Sequence, residues 1–144
     1  MNYSPKSLRP FIGAKDYQQS RKFYTDLGFE EYVIDASMSL FKVNEQLGFY
    51  LQNAYVKDWI DNTMVFLEVN DVAICREELL AKNLPQNYQN VRLSGIVVAD
   101  WGREISCTTP RVCYGILENS TNRVSTEKRI GVLWFHIFEG KSSA

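Results

Sequence analysis

Histidine is almost missing from this chain of 144 residues, His136 being the only one. A single imidazole excludes every site built on a pair or trio of histidines. Cysteine is scarce as well: Cys75, Cys107 and Cys113 stand alone, with no Cys-x-x-Cys spacing. Their odd number and wide separation argue against a disulfide framework and against a structural zinc site. Cys75, inside a helical pattern, reads as a small buried thiol. An excess of charge is missing too. With 16 basic and 17 acidic residues the net charge is -1, so no electrostatic footprint points to nucleic acid or a membrane surface. No apolar run is long enough to span a bilayer, and the opening Met1-Asn2-Tyr3-Ser4-Pro5-Lys6 has no apolar core, so a cytoplasmic location is expected. No Ser-His-Asp order, Gly-x-Ser-x-Gly elbow, phosphate-cradling glycine loop or paired-carboxylate motif occurs.

What is present is an ordinary globular balance, 45% hydrophobic and 23% charged. The length suits one domain over 1–144, or two small modules sharing a core. Arg9-Pro10-Phe11-Ile12-Gly13-Ala14 reads as a short strand. Asp16 offers an N-cap to a helix from Tyr17 to Leu27, with Phe23, Tyr24 and Leu27 on one face and Gly28 as its left-handed stop. Three strands follow at 29–34, 38–43 and 47–52, the last two joined by a turn at Asn44-Glu45-Gln46.

The pattern then restarts. Residues 64–69 alternate like a strand, Asp71 can cap a second helix with Val72, Cys75, Leu79 and Leu80 on its apolar face, and Asn83 ends it before Leu84-Pro85 leads outward. Asp16 to Gly28 spans twelve residues, and so does Asp71 to Asn83. An offset of 55 therefore pairs Arg9 with Met64 and Phe11 with Phe66. Such a repeat implies two equivalent units, with module 1 at about 7–57 and module 2 at about 60–140. Further apolar segments fall at 91–93, 95–98, 101–105 and 131–138, whereas 111–130 does not fit the repeat and reads as an atypical inserted segment.

The run Asp16-x₆-Phe23-Tyr24-x₂-Leu27-Gly28-Phe29 resembles the opening signature of the glyoxalase/bleomycin-resistance/extradiol-dioxygenase (vicinal oxygen chelate) superfamily. Trp101-Gly102-Arg103-Glu104 and Gly131-Val132-Leu133-Trp134 resemble its closing one, so the likeness covers roughly 8–110 and 131–138. The resemblance implies an α+β fold of two βαβββ modules. Their curved mixed sheet would surround a pocket, with helices on the convex face. It also implies a divalent metal held at four positions, which here fall on Arg9, Met64, near Tyr50 and near Phe135. Arginine offers no lone pair, and a thioether and two aromatics do not bind hard or borderline cations. No metal or other cofactor is therefore expected. His136, one residue from Phe135, would face away if Phe135 faces in.

Period-two alternation places Arg9, Phe11 and Gly13 on the inner face, with Gly48, Tyr50 and Gln52, and with Met64, Phe66 and Glu68. Phe49, Leu51, Val65, Leu67 and Val69 would pack beneath the helices. The inner set suits a small-molecule pocket, unless its aromatics fill the cavity themselves. Trp59 and Trp101 are predicted on loops at the pocket mouth, able to stack on a ligand or to bury in a dimer interface. Arg103, placed by the resemblance at the pocket edge, could hold a carboxylate or pair with Glu104 or Asp100. Glu68 is the only candidate general base, and no residue is assigned as catalytic.

Three readings follow. The first is a metal-free binding protein resembling the bleomycin-resistance branch, a homodimer sequestering a planar or amphipathic small organic molecule. The second is a lyase, isomerase or dioxygenase of the same fold, and the third is an interaction or scaffolding dimer presenting 111–130.

Overall fold

The computed structural model describes residues 4, 6–60, 63–100, 102–108 and 113–119; for Met64 and 113–119 this means the backbone. The chain divides into two compact units, Met1–Ile60 and Asp61–Ala144.

In the first unit the order is β1 (Phe11–Gly13), α1 (Tyr17–Leu27), β2 (Glu30–Asp35), β3 (Met38–Lys42), β4 (Gly48–Gln52) and α2 (Lys57–Ile60). The Asp16 carboxylate accepts the Gln19 N–H at 2.9 Å and starts α1. Gly28 ends it at φ 103°, where a side chain would be strained, and the Phe29 N–H closes the turn on the Tyr24 carbonyl at 3.0 Å. Asn44 builds the predicted turn between β3 and β4, its Oδ1 accepting the backbone N–H groups of Gln46 and Leu47.

The four strands form an open sheet ordered β1-β4-β3-β2, with β1 and β4 parallel and the other pairs antiparallel. Alternation gives this sheet two different faces. Ile12, Phe41, Phe49 and Leu51 are buried, together with Tyr17, Phe23 and Tyr24 of α1. Tyr24 packs edge-on against Phe49 at 4.9 Å and tilted on Phe41 at 5.3 Å. Each buried ring contributes about 1.5–3 kcal/mol by desolvation, so this cluster dominates the unit's stability. The opposite face is only partly covered, with Phe11 and Tyr32 exposed, Leu40, Tyr50 and Gln52 half-buried, and Gly13 buried. A Cβ there would stand 2.2 Å from Ile60 Cδ1, so the glycine admits α2 against the end of β1. Trp59 thus belongs to a short helix, correcting the predicted loop, because Ile60 is anchored there and fully buried.

The second unit runs β5 (Met64–Val69), α3 (Val72–Ala81), α4 (Leu84–Asn87), β6 (Arg92–Leu93), β7 (Val97–Ala99), β8 (Gly102–Thr108) and β9 (Cys113–Asn119). Asp71 accepts two N–H groups, from Ala73 at 2.7 Å and Ile74 at 3.0 Å. Asn83 takes the left-handed conformation at φ 51°. Two expectations then change. Leu84-Pro85 does not lead outward but starts α4, because Leu84 and Tyr88 are buried beneath it. Leu80, expected on the apolar face of α3, is partly exposed at 38%, while Val72 and Leu79 are buried.

The larger correction concerns 111–130. Cys113–Asn119 is not insertion but the central strand β9, parallel to β5 and antiparallel to β8. The order β5-β9-β8-β6, with β7 also on β8, matches that of the first unit. The two units therefore share one βαβββ plan. The expected closing strand at 131–138, with Phe135 and His136, lies outside the described residues.

Candidate functional site

The open face of the first sheet gathers the sequence-derived candidates into rows. The β-pairing sets Phe11 opposite Tyr50, Tyr50 opposite Leu40, and Leu40 opposite Tyr32, one continuous apolar row across all four strands. Phe11 and Tyr50 stack, with ring centroids 4.9 Å apart and planes inclined by 21°. Phe11 nevertheless leaves 47% of its surface in water, and Tyr32 leaves 42%. On one side of this row Gln52 pairs with Gly13 and Met38, its amide donating to the Met38 sulfur at 3.9 Å. On the other side Gly48 pairs with Lys42, whose ammonium lies 4.6 Å over the Tyr32 ring. Arg9 lies two residues before Phe11, half-buried, with its Nε enclosed and without an acceptor. Leu40, Lys42 and Tyr32 were not among the sequence-derived candidates; the hairpin register puts them in these rows.

The covered face carries the unit's polar network instead. The Ser39 hydroxyl donates to Glu31 at 2.6 Å, so the Tyr17 hydroxyl is the donor in its 2.8 Å bond to Ser39. Arg21 adds a paired guanidinium through Nε at 2.5 Å and through Nη2 at 3.3 Å. Burial alone would raise the Glu31 pKa, but the bonds from Arg21 and Ser39 and the Arg21 charge outweigh it and hold the carboxyl below its ordinary value. This network joins α1 to β2 and β3 and reads as structural.

In the second unit Phe66 and Glu68 both lie exposed on the open face, opposite Gly115 and Leu117 respectively. Met64 opens the same strand opposite Cys113. Glu68 is exposed on that face. Arg103 differs from its expected place. It aligns with Glu118 and through it with Val69, in the alternation shared by buried Ile105 and Cys107. That is the face of α3, where its charge helps lower the Asp71 pKa, behind the backbone N–H bonds from Ile74 and Ala73. Trp101 lies outside the described residues. Trp59 is in α2, 38% exposed.

A first strand parallel to the fourth, a helix between the first and second, and this plan used twice define an α+β fold of the glyoxalase/bleomycin-resistance/dioxygenase type. Solved structures with this fold include a bleomycin-binding protein from Streptomyces verticillus in complex with copper(II)-bleomycin, 19% identical, TM-score 0.65, covering 82% of this chain and 99% of that one. An antibiotic-binding protein from Streptomyces sp. CB03234 is 17% identical at TM-score 0.62, covering 83% and 99%. A lactoylglutathione lyase from Agrobacterium tumefaciens is 14% identical at TM-score 0.59, covering 81% and 96%. No family model matches the sequence, and no curated protein matches it either.

Some proteins of this fold hold a divalent metal, and the donor set here does not fit one. Met64 begins β5, Arg9 lies two residues before β1, and Tyr50 lies on β4. The register moves the fourth position from Phe135 to Gly115, which sits opposite Phe66 as Tyr50 sits opposite Phe11. A guanidinium, a thioether, a phenol and a bare glycine supply no hard-cation ligand set. Among the described residues no cluster of three or more His, Cys, Asp or Glu side chains could hold a metal, and no helix is long and apolar enough to cross a membrane.

Proposed function

We propose that this protein binds and sequesters a planar or amphipathic small organic molecule without a metal ion. The observation that carries the reading is the stacked Phe11–Tyr50 pair, which leaves Phe11 nearly half exposed on an open sheet face. Large rings kept in water at this cost are the natural partners of a flat ligand. Arg9, Gln52 and Trp59 of the same unit contribute polar and aromatic contacts around the stack, and Met64, Phe66 and Glu68 offer a second, sparser face. Solved proteins of this fold that bind bleomycin or another antibiotic support the reading. The ill-fitting donor set weighs against the metal-dependent lyase alternative.

The working form is a homodimer in a reducing compartment, the cytoplasm. Val33 and Ile34, exposed on the edge strand β2, support the first. The thiol of Cys75, in no disulfide, supports the second. Titrating the purified protein with planar antibiotics and aromatic acids, followed by tryptophan fluorescence, tests the binding claim. Saturable binding of a subset is expected. Silence across the whole panel would refute it, and sedimentation as a monomer at working concentration would remove the dimer.

A further inference from the structure

Among the described residues, Arg9 is a cation beside the open face that no acceptor or counter-charge meets. Its Nε–H is enclosed and has no acceptor, and no described side chain pairs with the guanidinium. The residue as a whole is half-buried, and Nε is its only nitrogen found enclosed without an acceptor. A buried donor without an acceptor is destabilising, and its retention calls for an explanation. Lys42 is differently placed, its ammonium being engaged over the Tyr32 ring.

Arg9 also stands at one particular place. It precedes Phe11 by two residues, just before β1, and the parallel register, continued back past the 2.9 Å bond from the Tyr50 N–H to the Pro10 carbonyl, leads toward Gly48. Gly48 carries no side chain, and a Cβ there would meet the Phe41 carbonyl at 2.6 Å, so the position between Arg9 and Lys42 stays bare. A fixed positive charge beside a bare position, bordering a stacked aromatic pair, is complementary to a molecule that is flat at one end and anionic at the other.

Building on the sequestration reading, we propose that the ligand class is the aromatic carboxylates. The carboxylate docks on the outer guanidinium edge of Arg9, above Gly48, and the ring lies on Phe11 and Tyr50. Arg9 sets the charge preference and the aromatic row supplies most of the contact area. This makes the site selective against cationic planar molecules.

Isothermal titration calorimetry with three molecules of one shape tests this: 2-naphthoate, the neutral 2-naphthamide and the cationic 2-naphthylmethylammonium. Naphthoate is expected to bind roughly tenfold or more tightly than the amide, with the ammonium weakest. Raising the salt concentration should weaken naphthoate alone. Arg9→Gln should bring naphthoate down toward the level of the amide, and Arg9→Lys should recover part of the difference. Equal affinities for the three probes, or naphthoate binding indifferent to both Arg9→Gln and salt, would overturn the carboxylate assignment and leave sequestration standing. Absence of binding by all three and by the wider antibiotic panel would remove both. If circular dichroism shows Arg9→Gln to be unfolded, the three-probe ranking and salt dependence of the unaltered protein decide the matter.

Discussion

Phe11 and Phe66 occupy the same place in the two units, yet the residues opposite them differ. Tyr50 faces Phe11 and stacks on it, whereas Gly115 faces Phe66 and offers no ring. Two residues further back, Arg9 precedes β1 in one unit, and Met64 opens β5 opposite Cys113 in the other. The covered faces diverge as well. A cluster of Phe23, Tyr24, Phe41 and Phe49 fills the first, while Ile105, Cys107, Val72 and Leu79 fill the second. One backbone plan thus supports two chemistries. The backbone pairing needs only alternation and turns, so side chains on the open faces are free to specialise.

The largest effects should come from the covered faces. Phe49→Ala removes the ring packed against both Tyr24 and Phe41, and should cost about 3–5 kcal/mol in urea unfolding. Ile105→Ala in the second unit should cost less, about 2–4 kcal/mol. A reversed order would break the contrast between the two cores. On the open faces, Phe11→Ala should weaken 2-naphthoate about tenfold while Phe66→Ala changes it less than about threefold, read by calorimetry.

Glu31 gives a smaller and pH-dependent effect. Its carboxyl is held below the ordinary value, so its contribution is present above the unfolded pKa and is lost as the pH falls through the folded one. Glu31→Gln should cost about 1–2 kcal/mol at pH 7, and the difference from the unaltered protein should shrink on acidification below about pH 4. The two helix caps differ least. Asp71 accepts two N–H bonds and Asp16 one, so Asp71→Ala should lower the melting temperature by a few degrees and Asp16→Ala by less. The depressed Asp71 pKa places its contribution above the unfolded pKa, fading as acid protonates the folded carboxyl.

The first unit was legible in the sequence nearly residue by residue. Caps at Asp16 and Gly28, the Asn44 turn and clean alternation in 38–42 and 48–52 all act locally, so they can be read without knowing the tertiary structure. The second unit resisted for physical reasons. The 55-residue offset holds through α3, but Tyr50 follows Phe11 by 39 positions and Gly115 follows Phe66 by 49. Part of that extra length forms α4, whose Leu84-Pro85 reads locally as an exit from the helix. The run around Cys113–Leu117 is apolar without alternation and therefore carried no strand period. Arg103 was misplaced because facing depends on register, and one residue of slip reverses the face. The row Phe11, Tyr50, Leu40, Tyr32 needed cross-strand pairing, which no single strand reveals.

The central claim is that the ligand lies on the first unit's aromatic face. Intermolecular nuclear Overhauser contacts in the complex with 2-naphthoate test it most directly. The account predicts contacts from the naphthyl protons to the rings of Phe11 and Tyr50 and none to Phe66. Contacts confined to Phe66, or a saturated complex without contacts to either ring of the stacked pair, would contradict it.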